Sequence, residues 1–354
     1  MAALNGLHLC CPFYPPNNLL DTLTKCVSLR RLYINDTPLY LSTMPKVPAN
    51  FRLEALSLVP VAEAVRMGDG PYESKFAETA YYNREYRRRY KNDILARTAV
   101  KDLLFSLGHP NSLRYVQVSC DHCNFDTLAE HEWPVLETLV LTGHAPRSPG
   151  NAELVDIIAR MPQLKELRLL FAKVRTDPFR LLPVGGGLSP RQNHPNILSQ
   201  LKHLAVSNAC EITGVLTHAS NLEFLAVCAV ADLPNVPIAL SRTDVDHLLT
   251  SIYKGGSSQH LRRFRLIMEE KVHPALCHAI ANLCPKLEFL EIEICGYHDG
   301  KPVYAWVRPL SIVIFLYWKF IRVPDIARIC RCILSARIVG RASCLHSVPR
   351  IRRS

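Results

Sequence analysis

The sequence predicts an α/β solenoid, with a curved parallel sheet on the concave side and short helices on the convex side. Three observations lead to this prediction: an apolar motif that recurs along the chain, helix-like segments ahead of several copies, and prolines where those segments must end. The chain has 354 residues, of which 48% are hydrophobic and 21% charged, and it contains 15 glycines. A disordered chain would have fewer apolar residues and a collagen-like chain far more glycine, so both classes are excluded.

The recurring motif is L-x-x-L-x-L, with Val, Ile or Phe also allowed at the apolar positions. Six of the nine steps between its ten copies lie in or near the range of about 20–29 residues that leucine-rich repeats show. The three longer steps predict insertions. Because one strand cannot bury its apolar side alone, the copies are expected to stack as parallel strands around a continuous core. The copies begin at Leu4, Leu29, Leu53, Leu113, Leu136, Leu164, Leu201, Leu222, Leu261 and Leu287.

Helix-like segments precede several of these strands. Residues 151–161 predict a helix with Asn151 as its N-cap and Leu154 on its apolar side. Pro162 then ends the helix, and Leu164 begins the next strand. The same order of helix or turn, stop and strand recurs in residues 132–134, 244–255 and 273–285.

Residues 284–295, Cys-Pro-Lys-Leu-Glu-Phe-Leu-Glu-Ile-Glu-Ile-Cys, resemble the repeat of F-box-type leucine-rich-repeat proteins, particularly the divergent ones of fungi. Cys295 lies eight residues after the first leucine, where that family places a Cys or Asn that bonds the turn backbone. The resemblance extends over roughly residues 4–300. Other copies depart from it, with Thr37, His144 and Ala172 at that position, and with Cys120 and Cys210 one residue away from it.

The resemblance implies a non-catalytic protein–protein interaction module, the substrate-recognition part of an F-box-like ubiquitin-ligase receptor. Members of that family dock a Skp-type adaptor through an N-terminal F-box. No F-box-like stretch precedes the first copy at Leu4, so a Skp-type partner is expected only if an F-box lies upstream.

Cysteine usage and the N-terminus predict a cytoplasmic or nuclear protein. The 13 cysteines are odd in number and unevenly spread, which is typical of reduced thiols rather than of a secreted disulfide scaffold. The N-terminus lacks the basic and apolar regions of a signal peptide. The longest apolar run, residues 310–318, is about half of the ~20 residues that a membrane-spanning helix needs, so no membrane span is predicted.

The formal charge of +11 belongs mainly to the C-terminal segment. Residues 308–354 hold nine Arg, one Lys and one acid, a balance of +9, which leaves +2 for the rest. We therefore expect a leucine-rich-repeat solenoid over residues 1–308 and a basic tail over 309–354. Three interpretations of the tail stay open: a degenerate cap, a basic segment that contacts anionic membrane or nucleic acid, or translated sequence foreign to the fold.

The longest step between copies predicts an inserted basic helix at about residues 66–110. Within it, Tyr81–Lys91 combines tyrosines spaced by four residues with five basic side chains. Such a segment can stack on single-stranded bases and grip phosphates, or it can be a surface helix whose tyrosines pack on the sheet. The alternative function is therefore a nucleic-acid or acidic-surface binder that uses Tyr81–Lys91 and the tail, although nucleic acid is the less favoured partner.

No motif for catalysis or metal binding is complete. Cys120-Asp-His-Cys123 has metal-type spacing, with His131 and His144 downstream, but a structural zinc site needs four converging ligands, and structural thiols are the favoured interpretation. Neither G-x-S-x-G nor H-E-x-x-H occurs. We predict no catalytic residue, metal, cofactor or small-molecule substrate.

What remains is a binding surface for an unknown protein ligand. In a parallel solenoid, the residues between the buried leucines point to the concave side, where partners commonly bind. Tyr, Phe and Arg at such positions are typical of binding hot spots, whereas an ordinary strand face also tolerates aromatics, and facing Arg and Glu residues can be simple ion pairs. The predicted partner-binding residues are Arg31, Tyr33, Tyr115, Gln117, Glu166, Arg168, His203, Phe224, Arg263, Arg265, Phe289 and Glu291.

Overall fold

A computed structural model of the chain has an α/β architecture, with helices between the strands of a largely parallel sheet. Eleven strands form this sheet in the described part of the chain, and ten of them are parallel and follow one another in chain order. The structure describes residues 4–10, 19–35, 37, 39, 46–60, 96–145, 153–172, 179–180, 198–207, 210–211, 213–228, 240–268, 273–294 and 312–317.

The order of the strands across the sheet is β1-β2-β3-β4-β5-β6-β8-β10-β11-β12-β13. The two remaining strands, β7 (Phe179–Arg180) and β9 (Cys210–Glu211), pair with each other. The strands of the main sheet are β1 (Gly6–Leu9), β2 (Arg31–Asn35), β3 (Ala55–Val59), β4 (Tyr115–Ser119), β5 (Thr138–His144), β6 (Glu166–Ala172), β8 (His203–Ser207), β10 (Phe224–Cys228), β11 (Arg263–Met268), β12 (Phe289–Ile294) and β13 (Ile312–Tyr317).

Each of the ten copies of the motif supplies one parallel strand. Its second and third apolar residues occupy equivalent register positions, such as Leu32 beside Leu56 and Ile34 beside Leu58. These side chains are almost wholly buried from β2 to β12 and form one continuous core. Because burying a leucine side chain contributes about 1.5–3 kcal/mol, the repeated leucines account for much of the stability of the sheet.

The helices lie between consecutive strands and cover the buried side of the sheet. Their apolar residues, for example Leu103 and Leu104, belong to the same core as the strand leucines. Among the described residues, no helix is both long enough and apolar enough to cross a membrane. The helices are α1 (Leu19–Thr24), α2 (96–107), α3 (Phe125–Ala129), α4 (Leu154–Ala159), α5 (Thr213–Leu216), α6 (Arg242–Lys254) and α7 (Pro274–Leu283).

The predicted helix that precedes β6 begins later than expected. Its N-cap is Glu153, whose backbone N–H donates to Asp156 Oδ2 at 2.9 Å, so the prediction of Asn151 as N-cap was wrong. A carboxylate three residues into the helix satisfies an N–H that would otherwise lack an acceptor, and here Asp156 does so. In α6, Ser241 and Asp244 form the corresponding reciprocal pair.

The two regions outside the motif are described only in part. In the inserted segment, α2 packs into the core, whereas Tyr81–Lys91 lies outside the described residues. In the basic C-terminal segment, β13 pairs antiparallel with β12 over six residue pairs. The remainder of 309–354 lies outside the described residues, as does Cys295.

Candidate protein-binding surface

All twelve predicted partner-binding residues fall on two register lines of the sheet, on the side opposite the buried leucines. The first line runs through the residues in register with Arg31, and the second line through those in register with Tyr33. Alternate residues of a strand point to opposite faces, so both lines belong to one surface, which we call the outer face. The first line contains Arg31, Tyr115, Glu166, His203, Phe224, Arg263 and Phe289, and the second contains Tyr33, Gln117, Arg168, Arg265 and Glu291.

An aromatic cluster occupies the β1–β4 end of the outer face. The ring of Tyr33 makes edge-to-face contacts with His8 and with Tyr115, in each case with ring centroids 6.1 Å apart. The second contact passes over β3, where the small residues Ala55 and Ser57 leave room for it. The aromatic side chains therefore meet because the strand between them carries small residues.

Hydrogen bonds hold this aromatic cluster in place. Ser57 Oγ donates to Asn35 Oδ1 at 2.7 Å, and the Asn35 amide lies 3.4 Å from Nε2 of His8. The Tyr115 hydroxyl donates to Gln117 Oε1 at 2.8 Å. Burial raises the pKa of Tyr115, so the hydroxyl stays protonated and remains a donor at neutral pH.

Glu166 and Arg168 form a compact ion pair near the middle of the outer face. They stand two residues apart on β6 and therefore on the same side of the sheet. Two guanidinium nitrogens of Arg168, Nε and Nη2, lie 2.6 and 2.5 Å from Oε1 of Glu166. The other carboxylate oxygen accepts from Thr138 Oγ1 at 3.3 Å, so both oxygens of Glu166 have partners inside the protein.

The β8–β12 end of the outer face combines aromatic and basic side chains. The rings of His203 and Phe224 meet edge to face with centroids 6.0 Å apart. Arg263 is exposed and lies in register between Phe224 and Phe289. An arginine between two half-exposed phenylalanines has the composition of a binding hot spot.

Among the described side chains, the ion pairs expected between β11 and β12 form at one position. Arg265 lies in register with Glu291, and their side chains approach to 3.4 Å. Arg263 lies opposite Phe289 instead, and Glu293 lies opposite Ile267. The simple ion-pair interpretation therefore accounts for Arg265 and not for Arg263.

Of the two cysteines with metal-type spacing, Cys123 is buried and Cys120 is partly buried. Burial raises the pKa of Cys120 well above its ordinary value and that of Cys123 to about 12, so both thiols are protonated at neutral pH. His144 pairs with Asp121, and the ring of His131 contacts Phe105 with centroids 4.4 Å apart. In the described ranges, no group of three or more His, Cys, Asp or Glu side chains is arranged to hold a metal ion.

Asp121 is a structural residue that the sequence reasoning missed. Its Oδ1 accepts from the backbone N–H of His144 at 3.2 Å and lies 2.8 Å from Nδ1 of the same residue. It thus joins the segment that follows β4 to the last residue of β5. Asp121 stands eight residues after Leu113, so aligning the copies from their first leucine would have revealed it.

The sequence also did not reveal a row of charged residues that directly precede the strands. Glu137 is approached by Arg114 at 3.2 Å and by Lys165 at 3.3 Å, and Glu223 by Lys202 at 3.0 Å. The hydrogen bond from Lys202 lowers the pKa of Glu223. A shallow groove of about 410 Å³ opens beside this row of charged residues. Its two lysines, Lys165 and Lys202, are already paired with Glu137 and Glu223.

No protein-family model matches the chain, and no curated protein matches it. The function therefore has to be argued from the repeated motif and from the side chains of the outer face.

Proposed function

We propose that the chain is a non-catalytic leucine-rich-repeat solenoid that binds a protein through the outer face. In this proposal, the face of the sheet opposite the buried leucines is the concave side of the solenoid. The strand order supports the solenoid, because ten consecutive copies of one motif supply ten parallel strands in chain order. Stacking of similar structural units, each of which contacts mainly its neighbours, is the defining property of such repeat proteins.

The observation that carries the binding proposal is the position of the twelve predicted residues on two adjacent register lines. Their aromatic side chains are grouped, with Tyr33 and Tyr115 at one end and Phe224 and Phe289 at the other. Tyr, Trp and Arg dominate the binding energy of protein interfaces because they combine large apolar area with directed hydrogen bonds.

The ring contacts of the outer face favour tight binding. Tyr33 and Tyr115 touch each other, as do His203 and Phe224, so both pairs are already restricted before a partner arrives. Immobilising a flexible side chain on binding costs about 0.5–1.5 kcal/mol, and a preorganised ring avoids much of that cost. Burial of these rings by a partner therefore contributes more binding free energy than burial of the same rings without their ring contacts would.

The family resemblance extends this proposal to the substrate-recognition part of an F-box-like ubiquitin-ligase receptor in the cytoplasm or nucleus. The extension depends on an F-box, through which a Skp-type adaptor would bind. Sequencing of full-length transcripts tests it: an in-frame F-box ahead of Leu4 supports the extension, and transcripts without one remove the ubiquitin link.

Site-specific photo-crosslinking in the native cell tests the binding proposal. A photoreactive phenylalanine analogue replaces Tyr115 or Phe224 in the full chain, and a matched control places it at Tyr253 of α6, which is 62% exposed and lies away from the outer face. We expect the same protein to be crosslinked from both outer-face positions and not from Tyr253. Crosslinking that is equal at all three positions, or present only at Tyr253, would contradict the proposal.

A further inference from the structure

The two lines of the outer face carry more basic than acidic side chains. Of the described side chains on its two lines, four are arginines and two are glutamates, which leaves an excess of two positive charges. The body outside the basic tail also has an excess of two positive charges, but there it is the difference between 32 basic and 30 acidic residues, whereas on the two lines basic residues outnumber acidic ones two to one. The four arginines are Arg31, Arg168, Arg263 and Arg265.

Both glutamates already have arginine partners. Glu166 is paired with Arg168, and Glu291 with Arg265. The other two arginines, Arg31 and Arg263, are exposed and have no acidic side chain within ion-pair distance in the part of the chain that the structure describes. Among the described side chains of the two lines, these two guanidinium groups are therefore the ones that no acid neutralises.

Each of these two arginines stands beside aromatic side chains. Arg31 is followed two residues later, on the same face, by Tyr33 of the aromatic cluster. Arg263 lies in register between Phe224 and Phe289. Apolar rings exclude water and lower the local dielectric constant, so a carboxylate that reaches either arginine interacts with it more strongly than at an open surface.

The distance between the two arginines sets the minimum length of a partner segment that contacts both. Seven strand spacings separate β2 from β11 in the sheet. Since neighbouring strands lie ~4.8 Å apart, Arg31 and Arg263 are roughly 34 Å apart measured along the sheet. An extended chain covers about 3.3 Å per residue, so a polypeptide needs about ten residues to reach both sites. A small anion cannot contact both.

We propose that the partner presents an acidic polypeptide segment of about ten residues or more, with aromatic or aliphatic side chains beside its carboxylates, that lies across the strands from Arg31 to Arg263. The proposal rests on the proposed function, since it names the chemistry of the partner at the same face. A nucleic acid fits less well, because only two arginines among the described side chains of these lines lack an acidic partner, and a continuous phosphate backbone is held by many basic contacts.

Selection from a displayed library of random twelve-residue peptides tests the proposal with the full chain as target. We expect the recovered peptides to carry net negative charge together with aromatic or aliphatic residues. Arg31→Glu and Arg263→Glu should each weaken binding of a recovered peptide by about tenfold or more. Lys254→Glu on α6, which changes the net charge equally but lies away from the outer face, should leave binding unchanged.

The other outcomes separate the two proposals. Neutral or basic peptides that are insensitive to both arginine variants, but are weakened by Tyr115→Ala and Phe224→Ala, would overturn the acidic partner and leave the binding face intact. A library from which no binder depends on either set of residues would overturn both proposals. Binding of the oligonucleotide dT12 at the affinity of the best peptide, lost in Arg31→Glu and Arg263→Glu, would replace the acidic protein with a nucleic acid.

Discussion

The rings of Tyr33 and Tyr115 meet edge to face, with centroids 6.1 Å apart, although β3 lies between their strands. Their sequence positions are 82 residues apart, and the longest insertion separates them. The contact joins non-adjacent strands through side chains alone, and it makes the β1–β4 end of the outer face a single aromatic surface.

The contact between the two tyrosines should contribute measurable coupling to stability. A double-mutant cycle with Tyr33→Ala and Tyr115→Ala is expected to give a coupling free energy of about 0.5–1.5 kcal/mol, the usual value for an edge-to-face pair. Urea unfolding followed by circular dichroism measures it. The control cycle pairs Tyr33→Ala with Tyr253→Ala, whose residues lie on different elements, and should give coupling near zero. Equal coupling in the two cycles would contradict the contact.

Gly143 and Gly256 provide a matched test of the close approach of Asp121 to the end of β5. Both have positive φ, 80° and 78°, but an added Cβ at Gly143 would meet Asp121 Oδ2 and Ser119 Oγ, whereas at Gly256 it would meet nothing within 4 Å. Gly256→Ala should therefore cost only the left-handed strain, about 1–2 kcal/mol. Gly143→Ala should cost clearly more, because Asp121 must move and weaken its bonds to His144. Equal losses of unfolding free energy in the two variants, measured by urea unfolding, would contradict the close packing of Asp121 and Ser119 against Gly143.

Acid should remove the contribution of Asp121 to stability. Burial raises the pKa of Asp121, but the hydrogen bonds and charge of His144 outweigh it and bring the pKa below the ordinary value of 3.8. A carboxyl whose pKa is lowered by folding stabilises the protein at pH values above its unfolded pKa, and this stabilisation is lost as the pH falls through the lower, folded pKa.

Asp121→Asn should therefore be less stable than wild type at pH 7, and the difference in unfolding free energy should shrink below pH ~4. Urea unfolding at a series of pH values measures this difference. Glu132→Gln serves as control, because Glu132 forms an exposed ion pair with Arg160, and such pairs contribute little. A gap between Asp121→Asn and wild type that stays constant down to pH 2 would contradict this account.

The buried thiols should be unreactive until the protein unfolds. Burial raises the pKa to about 12 for Cys123 and to about 11 for Cys284, and the thiolate is the reactive form. At pH 8, iodoacetamide labelling followed by mass spectrometry should modify the exposed Cys10 first and leave Cys123 and Cys284 unmodified. In denaturant all three should react at similar rates. Labelling of Cys123 as fast as Cys10 in the folded protein would argue against its position in the core.

The sequence was sufficient to predict which residues form the outer face. The alternation within L-x-x-L-x-L places Tyr115 and Gln117 on the face opposite the buried Val116, and a one-residue slip of the strand would move the apolar residues out of the core. Residues of equivalent motif position therefore align across the sheet even where insertions separate the copies. His8, which lies between Leu7 and Leu9 of the first copy, occupies the same line as Tyr33 and follows from the same alternation, although it was not among the predicted residues.

Contacts that depend on three-dimensional neighbours could not be predicted from the motif. The meeting of Tyr33 with Tyr115 depends on the small size of Ala55 and Ser57 on the strand between them. The α4 N-cap depended on whether Asn151 or Glu153 precedes the first helical turn, and the reciprocal bond with Asp156 decides in favour of Glu153. Such choices rest on local hydrogen bonds that several nearby residues can make.

The central claim, that the outer face binds a protein, is tested most directly by affinity. The partner captured by crosslinking is titrated calorimetrically against wild type, Tyr115→Ala, Phe224→Ala and the control Tyr253→Ala, after circular dichroism has verified that each variant is folded. The account predicts that Tyr115→Ala and Phe224→Ala each raise Kd by about tenfold or more, as removal of a hot-spot ring does, while Tyr253→Ala leaves Kd unchanged. A Kd that is unchanged in both outer-face variants would contradict it.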